Sequence, residues 1–320
     1  MAYVTPAFAV QTFEIPLLFG LKFGKLCHKW NKTGGHDMAE MVEKEEKRMR
    51  ADRTARRKTC CCMLAVILCA GLAASSAHGR SLIHSHNDYA QKRPFWGAYE
   101  AGADSIEADV FLVDGELLVA HSRKELKKEN TLRRLYLEPL REVMRKNGGR
   151  AYADGKPLQL LIDLKNGKPA LDRLVEMVEK EGYRGCFDIV KNPSATRLTA
   201  TGDHSRIADF LAYPGFVFFD VSPTRKLAEG QYRRVPLISH YARAYTKWRS
   251  GEMPEADKGK IRAAVKEAHA KGCKFRLWGY PDNPEAWRLA RELGLDYINT
   301  DRPAAAAAFL RESSRGAGTP

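Results

Sequence analysis

Beyond residue 80 the apolar residues fall into short runs separated by stretches of helical period, and this alternation sets the expected fold. Strands are predicted at 81–84, 104–113, 158–164, 197–201, 216–220, 235–239, 274–278 and 296–299, with 186–190 as a further candidate. The run 116–121 follows Asp114-Gly115, a hairpin-type turn pair. The run 158–164 is almost unbroken in its apolar character, the mark of a strand covered on both faces. Helices are predicted at 94–101, closed by Gly102, and through Leu132, Leu135, Leu140, Val143 and Met144, ended by Gly148-Gly149. Others fall at 169–181, with Leu171, Leu174, Val175 and Val178 on one face, at 258–271, and at 284–293 with Pro284 in the first turn. Eight or nine strands separated mostly by helices, without a glycine-rich dinucleotide fingerprint, match a closed (β/α)8 TIM barrel as a single catalytic domain over 78–305. Residues 306–320 read as a C-terminal tail, a last helix fraying into disorder.

The first 79 residues follow a different pattern. Residues 1–48 have no sustained period and are left as an unassigned extension, untranslated if Met49 is the start. From Met49 a basic stretch (Arg50, Arg53, Arg56, Arg57, Lys58) leads into an apolar run over 60–74 and then Ser75-Ser76-Ala77. Basic region, apolar region and small-residue cleavage site are the three parts of a secretory signal, here 49–77, and predict a secreted or periplasmic product. The apolar run is shorter than the roughly 20 residues a spanning helix needs.

Composition changes this picture little. With 44% hydrophobic residues and five Trp among 320 residues, a large core is available. The net charge of +14 divides into +5 over residues 1–79 and +9 over 80–320, with no long basic block in the body. A dispersed excess suits a small anionic substrate, a peripheral contact with an anionic membrane, or a merely solvated surface. No zinc spacing or aromatic-rich sheet motif points to nucleic acid, and the oligomeric state is not legible. Of seven cysteines only Cys186 and Cys273 lie in the body, either as one disulfide or as two buried thiols.

The polar residues at the strand ends carry the chemistry. In an extended strand residues i and i+2 share a side, so Glu107 and Asp109 project together from an apolar run. Two carboxylates with nearby histidines suit a hard metal ion joined to acid–base chemistry. His84 and His86, Asp163, Asp220, Ser239-His240 and Asn299 also fall at the ends of predicted strands, where barrel enzymes carry their sites.

The order His, Glu-x-Asp, Asp-Gly, then His121 twelve residues after Asp109 resembles the barrel superfamily of glycerophosphodiester phosphodiesterases and phosphatidylinositol-specific phospholipases C, over roughly 80–305. Ser85-His86-Asn87-Asp88-Tyr89 is similar to the phospholipase SHNTY-type motif, 106–110 to the metal-binding IExDV motif, and 161–165 to the third-strand E-x-K element. GLDYINTDRP, 294–303, resembles the closing segment of the glycerophosphodiesterases. The nearest likeness is to an uncharacterised secreted branch with HSHNDY in place of HRG.

The resemblance implies a metal-dependent hydrolase acting on a small phosphodiester or phospholipid headgroup. Glu107, Asp109, Asp163 and Asn87 would hold Ca²⁺ or Mg²⁺, and His121 would work with His86 or, as the open alternative, His84. Lys165, Trp278, Tyr280 and Asn299 are candidates to contact substrate. Two residues depart from the pattern: no arginine follows the first histidine, which passes the phosphate contact to another group such as Lys165, and Asp163 stands where Glu is usual. Two other functions stay open, a lyase forming a cyclic phosphate and a non-catalytic barrel binding phosphorylated ligands.

Overall fold

A computed structural model describes residues 80–316 except 205, 206 and 229. The expected extension, signal segment and extreme C-terminus lie outside these residues. No helix among the described residues is long and apolar enough to cross a membrane.

Strands β1 (Leu82–Ser85), β2 (Ser105–Val113), β4 (Gln159–Leu164), β5 (Arg197–Gly202), β6 (Val217–Val221), β7 (Leu237–Tyr241), β8 (Lys274–Trp278) and β9 (Tyr297–Thr300) run parallel in the order β8-β7-β6-β5-β4-β2-β1-β9. Strand β3 (Glu116–Val119) returns antiparallel along β2 across the predicted Asp114-Gly115 turn. β8 and β9 meet without a regular ladder. Asp296 bridges the seam, its N–H reaching the Phe275 carbonyl at 3.2 Å while its Oδ2 accepts from the Phe275 N–H at 2.7 Å. The result is a nearly closed (β/α)8 barrel, as the alternating pattern implied.

Helices α1 (Trp96–Glu100), α2 (Glu138–Lys146), α3 (Lys168–Lys180), α4 (Arg184–Phe187), α5 (Glu255–Ala270), α6 (Pro284–Glu292) and α7 (Pro303–Gly316) complete the order. The outward side chains of the strands, including Ile106, Ala108, Leu160, Ile162, Leu198, Phe219 and Phe275, pack with Leu171, Leu174 and Val178 of α3 in the main core. At roughly 25 cal/mol per Å² of apolar surface buried, this interface is the fold's chief stabilising term. Leu161, Leu237 and Tyr297 form a separate apolar cluster; each is two residues before a cavity-level polar residue, and so faces the barrel interior.

Two expectations change and one open choice is decided. The candidate strand at 186–190 is not formed: Cys186 and Phe187 reach the core from the short helix α4. The boundary set at 305 falls inside α7, whose Ala306 and Ala307 are buried in the main core. Cys186 and Cys273 are both free and buried; burial pushes the Cys186 thiol up to about 11, and the Cys273 thiol donates to the Val235 carbonyl.

Candidate active site

A cavity of about 730 Å³ opens at the C-terminal ends of the strands. Because β2 and β4 are in register with Asp109 opposite Asp163, and Glu107 lies two residues before Asp109, three carboxylates converge. One oxygen from each of Glu107, Asp109 and Asp163 lies within 4.8 Å of the others. Asp109 Oδ1 is buried and has no hydrogen-bond partner. Burial, then the charges of Asp163 and Glu107, push the Asp109 carboxyl up to about 6. Lys165 Nζ answers part of this charge, 2.6 Å from Asp163 Oδ2 and 2.9 Å from Asp109 Oδ2. An all-oxygen trio with an orphaned buried oxygen fits a hard divalent cation.

Asp163 sits against Gly202, whose φ is +79°, and a Cβ there would lie 1.9 Å from Asp163 Oδ1 and 2.9 Å from Leu164 N. Only glycine tolerates that approach together with that backbone conformation.

The two candidate histidines of the first motif occupy different places. β1 ends at Ser85, so His86 begins the turn, with its N–H on the Thr300 carbonyl, and its ring lines the cavity. Its Nδ1 lies 2.8 Å from Asp301 Oδ1. Burial lowers its pKa, but the Asp301 bond and the charge of Glu107 outweigh this and raise it above the ordinary value. With Nδ1–H on the carboxylate, Nε2 is left for substrate. Asn87 follows with φ 47°, a left-handed conformation that asparagine tolerates, and its Oδ1 accepts from the Tyr89 hydroxyl at 2.6 Å.

His84 is 0% exposed and lines no part of the cavity. Its Nε2 is 2.6 Å from Glu107 Oε2 and its Nδ1 2.9 Å from Ser105 Oγ. Ser105 Oγ already accepts from Gln159 Nε2, and Gln159 Oε1 accepts from Thr199. Donation therefore runs Thr199, Gln159, Ser105, His84, Glu107 in one direction. Burial and the Arg276 charge take the His84 pKa down to about 3, so the ring is neutral at physiological pH.

His121 lies just beyond β3, 65% exposed at its side chain, with Nδ1 3.2 Å from Asp109 Oδ2 and 3.1 Å from the Tyr89 hydroxyl. Tyr89 thus ties Asn87, Asp109 and His121 together. Burial, then Asp109, keeps its phenol protonated far above the ordinary range.

Trp278 lines the cavity at 42% exposure, stacked on Tyr241 with centroids 4.4 Å apart. Tyr280 does not line it. β8 ends at Trp278, Gly279 turns the chain with φ +67°, and the Tyr280 ring packs on Trp248 instead. Asn299 lies beneath the cavity, its Oδ1 3.3 Å from Arg276 Nη1.

Arg276 is the group sequence reasoning missed. On β8 and 3% exposed, it reaches Glu107 Oε2 at 3.0 Å, Ser239 Oγ at 3.0 Å and Asp220 Oδ2 at 3.5 Å, and Nη1 abuts the His84 ring. Burial would raise the Glu107 carboxyl; Arg276 and His84 together hold it well below the usual carboxylate range. Asp220 is 2% exposed, its Oδ1 has no partner, and burial pushes it up to about 6. The one available signal was parity: Arg276 is charged inside an apolar strand and shares a side with Trp278.

The model of the AIM6-like phosphodiesterase domain matches residues 80–185, which span His86, Glu107, Asp109, His121 and Asp163. The model of the glycerophosphoryl diester phosphodiesterase family matches 274–304, which span Arg276 and Asp301. The chain is 28% identical over 266 residues to the altered inheritance of mitochondria protein 6 homolog of Arthroderma benhamiae, covering 71% of this chain and 83% of that one. It is 26% identical over 260 residues to altered inheritance of mitochondria protein 6 of Eremothecium gossypii, covering 68% and 67%. Similar solved structures include a glycerophosphodiester phosphodiesterase from Parabacteroides distasonis, with TM-score 0.47, 16% identity and coverage of 73% and 95%. A calcium-dependent phosphoinositol-specific phospholipase C from a Pseudomonas species gives TM-score 0.46, 14% identity and coverage of 71% and 91%. Phosphodiesterase family models thus match both the first and the last strands of the barrel.

Proposed function

We propose that this chain is a metal-dependent phosphodiesterase cleaving a glycerophosphodiester or a related phospholipid headgroup ester, with His86 and His121 as its acid–base pair. The carboxylate trio with the orphaned Asp109 Oδ1, flanked by these two histidines in one cavity, carries the reading.

Glu107, Asp109 and Asp163 would hold Ca²⁺ or Mg²⁺ with Asn87 beside them, and the bound cation would neutralise the diester and polarise its phosphoryl oxygen. Lys165 and Arg276 add positive charge on the carboxylate side of the cavity. His86, oriented by Asp301, accepts the proton of the attacking water. His121, accessible and held near Asp109, protonates the leaving oxygen. Each transfer contributes about 10²–10⁴-fold. His84 serves as a positioning residue for Glu107.

The decisive experiment is hydrolysis of glycerophosphocholine and of bis(p-nitrophenyl) phosphate. Expected are loss in excess EDTA, recovery on adding Ca²⁺ or Mg²⁺, and a fall of about 10²-fold or more in His86→Ala and His121→Ala. Activity that survives EDTA, or both variants, sinks the proposal. Phosphorus NMR of the product separates hydrolysis from cyclic-phosphate formation. The same reading includes export: the secreted chain begins near His78, and N-terminal sequencing checks it.

A further inference from the structure

A second cleft, of about 460 Å³, lies at the opposite end of the barrel. Its walls come from the starts of strands: Arg197 opens β5, Lys274 opens β8, and Phe218 is the second residue of β6. Arg233 and Tyr232, from the turn before β7, and Lys271, from the end of α5, complete it.

Among the described residues four cations face this cleft and no carboxylate lines it. Lys271 has a partner, Glu267 Oε1 at 2.7 Å, but among the described residues Arg197, Arg233 and Lys274 make no ion pair. Arg197 Nε is buried with no hydrogen-bond acceptor, while its guanidinium lies over the Phe218 ring at 5.5 Å. Like charges gathered in one concavity repel, and a donor left buried without a partner costs free energy; a bound anion relieves both. Guanidinium and ammonium groups together suit phosphoryl oxygens.

We propose that this cleft is a binding site for a small soluble phosphoryl anion, distinct from the catalytic cavity. Direction favours a soluble ligand over a lipid headgroup. The parallel strands run from this cleft to the cavity, so a bilayer docked here would turn the cavity away from lipid.

Titration calorimetry with inorganic pyrophosphate tests this on the full chain. Saturable binding is expected in the wild type and in Asp163→Asn, which alters only the catalytic cavity. Weakening of at least tenfold is expected in Arg233→Glu/Lys274→Glu, with phosphodiester hydrolysis unchanged. Arg233→Gln/Lys274→Gln serves should the reversed charges disturb folding, and thermal melting confirms that each variant is folded. No saturable binding, or equal binding in the folded cleft variants, overturns the proposal. Cosedimentation with phosphatidate-containing phosphatidylcholine vesicles that is lost in the cleft variants, without pyrophosphate binding, overturns it in favour of a lipid surface.

Discussion

Two polar regions share the interior of this barrel and are built on opposite terms. Below the cavity, the column Thr199, Gln159, Ser105 and His84, which ends on Glu107 at the cavity floor, is buried and leaves no buried polar atom without a partner. One level up, Asp109 Oδ1 and Asp220 Oδ1 are as deeply buried and have none. The same strands supply both: β2 gives Ser105 to the column and Glu107 and Asp109 to the cavity, and His84 and His86 are two residues apart. A satisfied network fixes geometry, whereas an unsatisfied one stores affinity for what is to come. Which side of that line a residue falls on depends on its level along the strand: Ser105 opens β2 while Asp109 lies in its middle.

Gly202→Ala breaks the upper region hardest. Its Cβ would displace Asp163, and a shift of that size near the reacting centre costs on the order of 10²-fold in kcat/KM, measured alongside melting to separate misfolding from misplacement. His84→Ala attacks the lower region. It removes a buried ring and one of the partners of Glu107, and destabilises the fold by about 3 kcal/mol in urea unfolding. Little change in stability would show that the column is not structural.

Asp220→Asn sharpens the contrast through pH. The folded Asp220 pKa, about 6, stands above its unfolded value of 3.8. Its contribution to stability is therefore fully present below the unfolded value and is lost as pH rises through about 6. The neutral variant should gain at most about 3 kcal/mol over wild type at pH 7.5, and nothing at pH 3. A gain that does not depend on pH would remove this account of Asp220.

Much of the upper region was legible, because Glu107, Asp109 and Asp163 are charges interrupting apolar strands at a spacing that fixes their side. The supports were not. Asp301 reaches His86 from 215 residues away, and Arg276 meets Glu107 across 169, separations that no local pattern encodes. Position near a strand end misled at Tyr280, which lies past the last residue of β8 and packs on Trp248 instead of lining the cavity. At 186–190, apolar alternation was bent into a helical turn by the burial of Cys186 and Phe187 against the core.

The pairing of β1 with β9 also orders events in time. During synthesis the strand leading to His86 emerges early, while its neighbour β9 and Asp301 come at the far end of the barrel. Until that last strand arrives, the first has only β2 beside it, and the ring of His86 has no carboxylate to orient it. On the proposed mechanism a nascent chain is thus inert: the His86–Asp301 pair is completed only by the closure of the barrel.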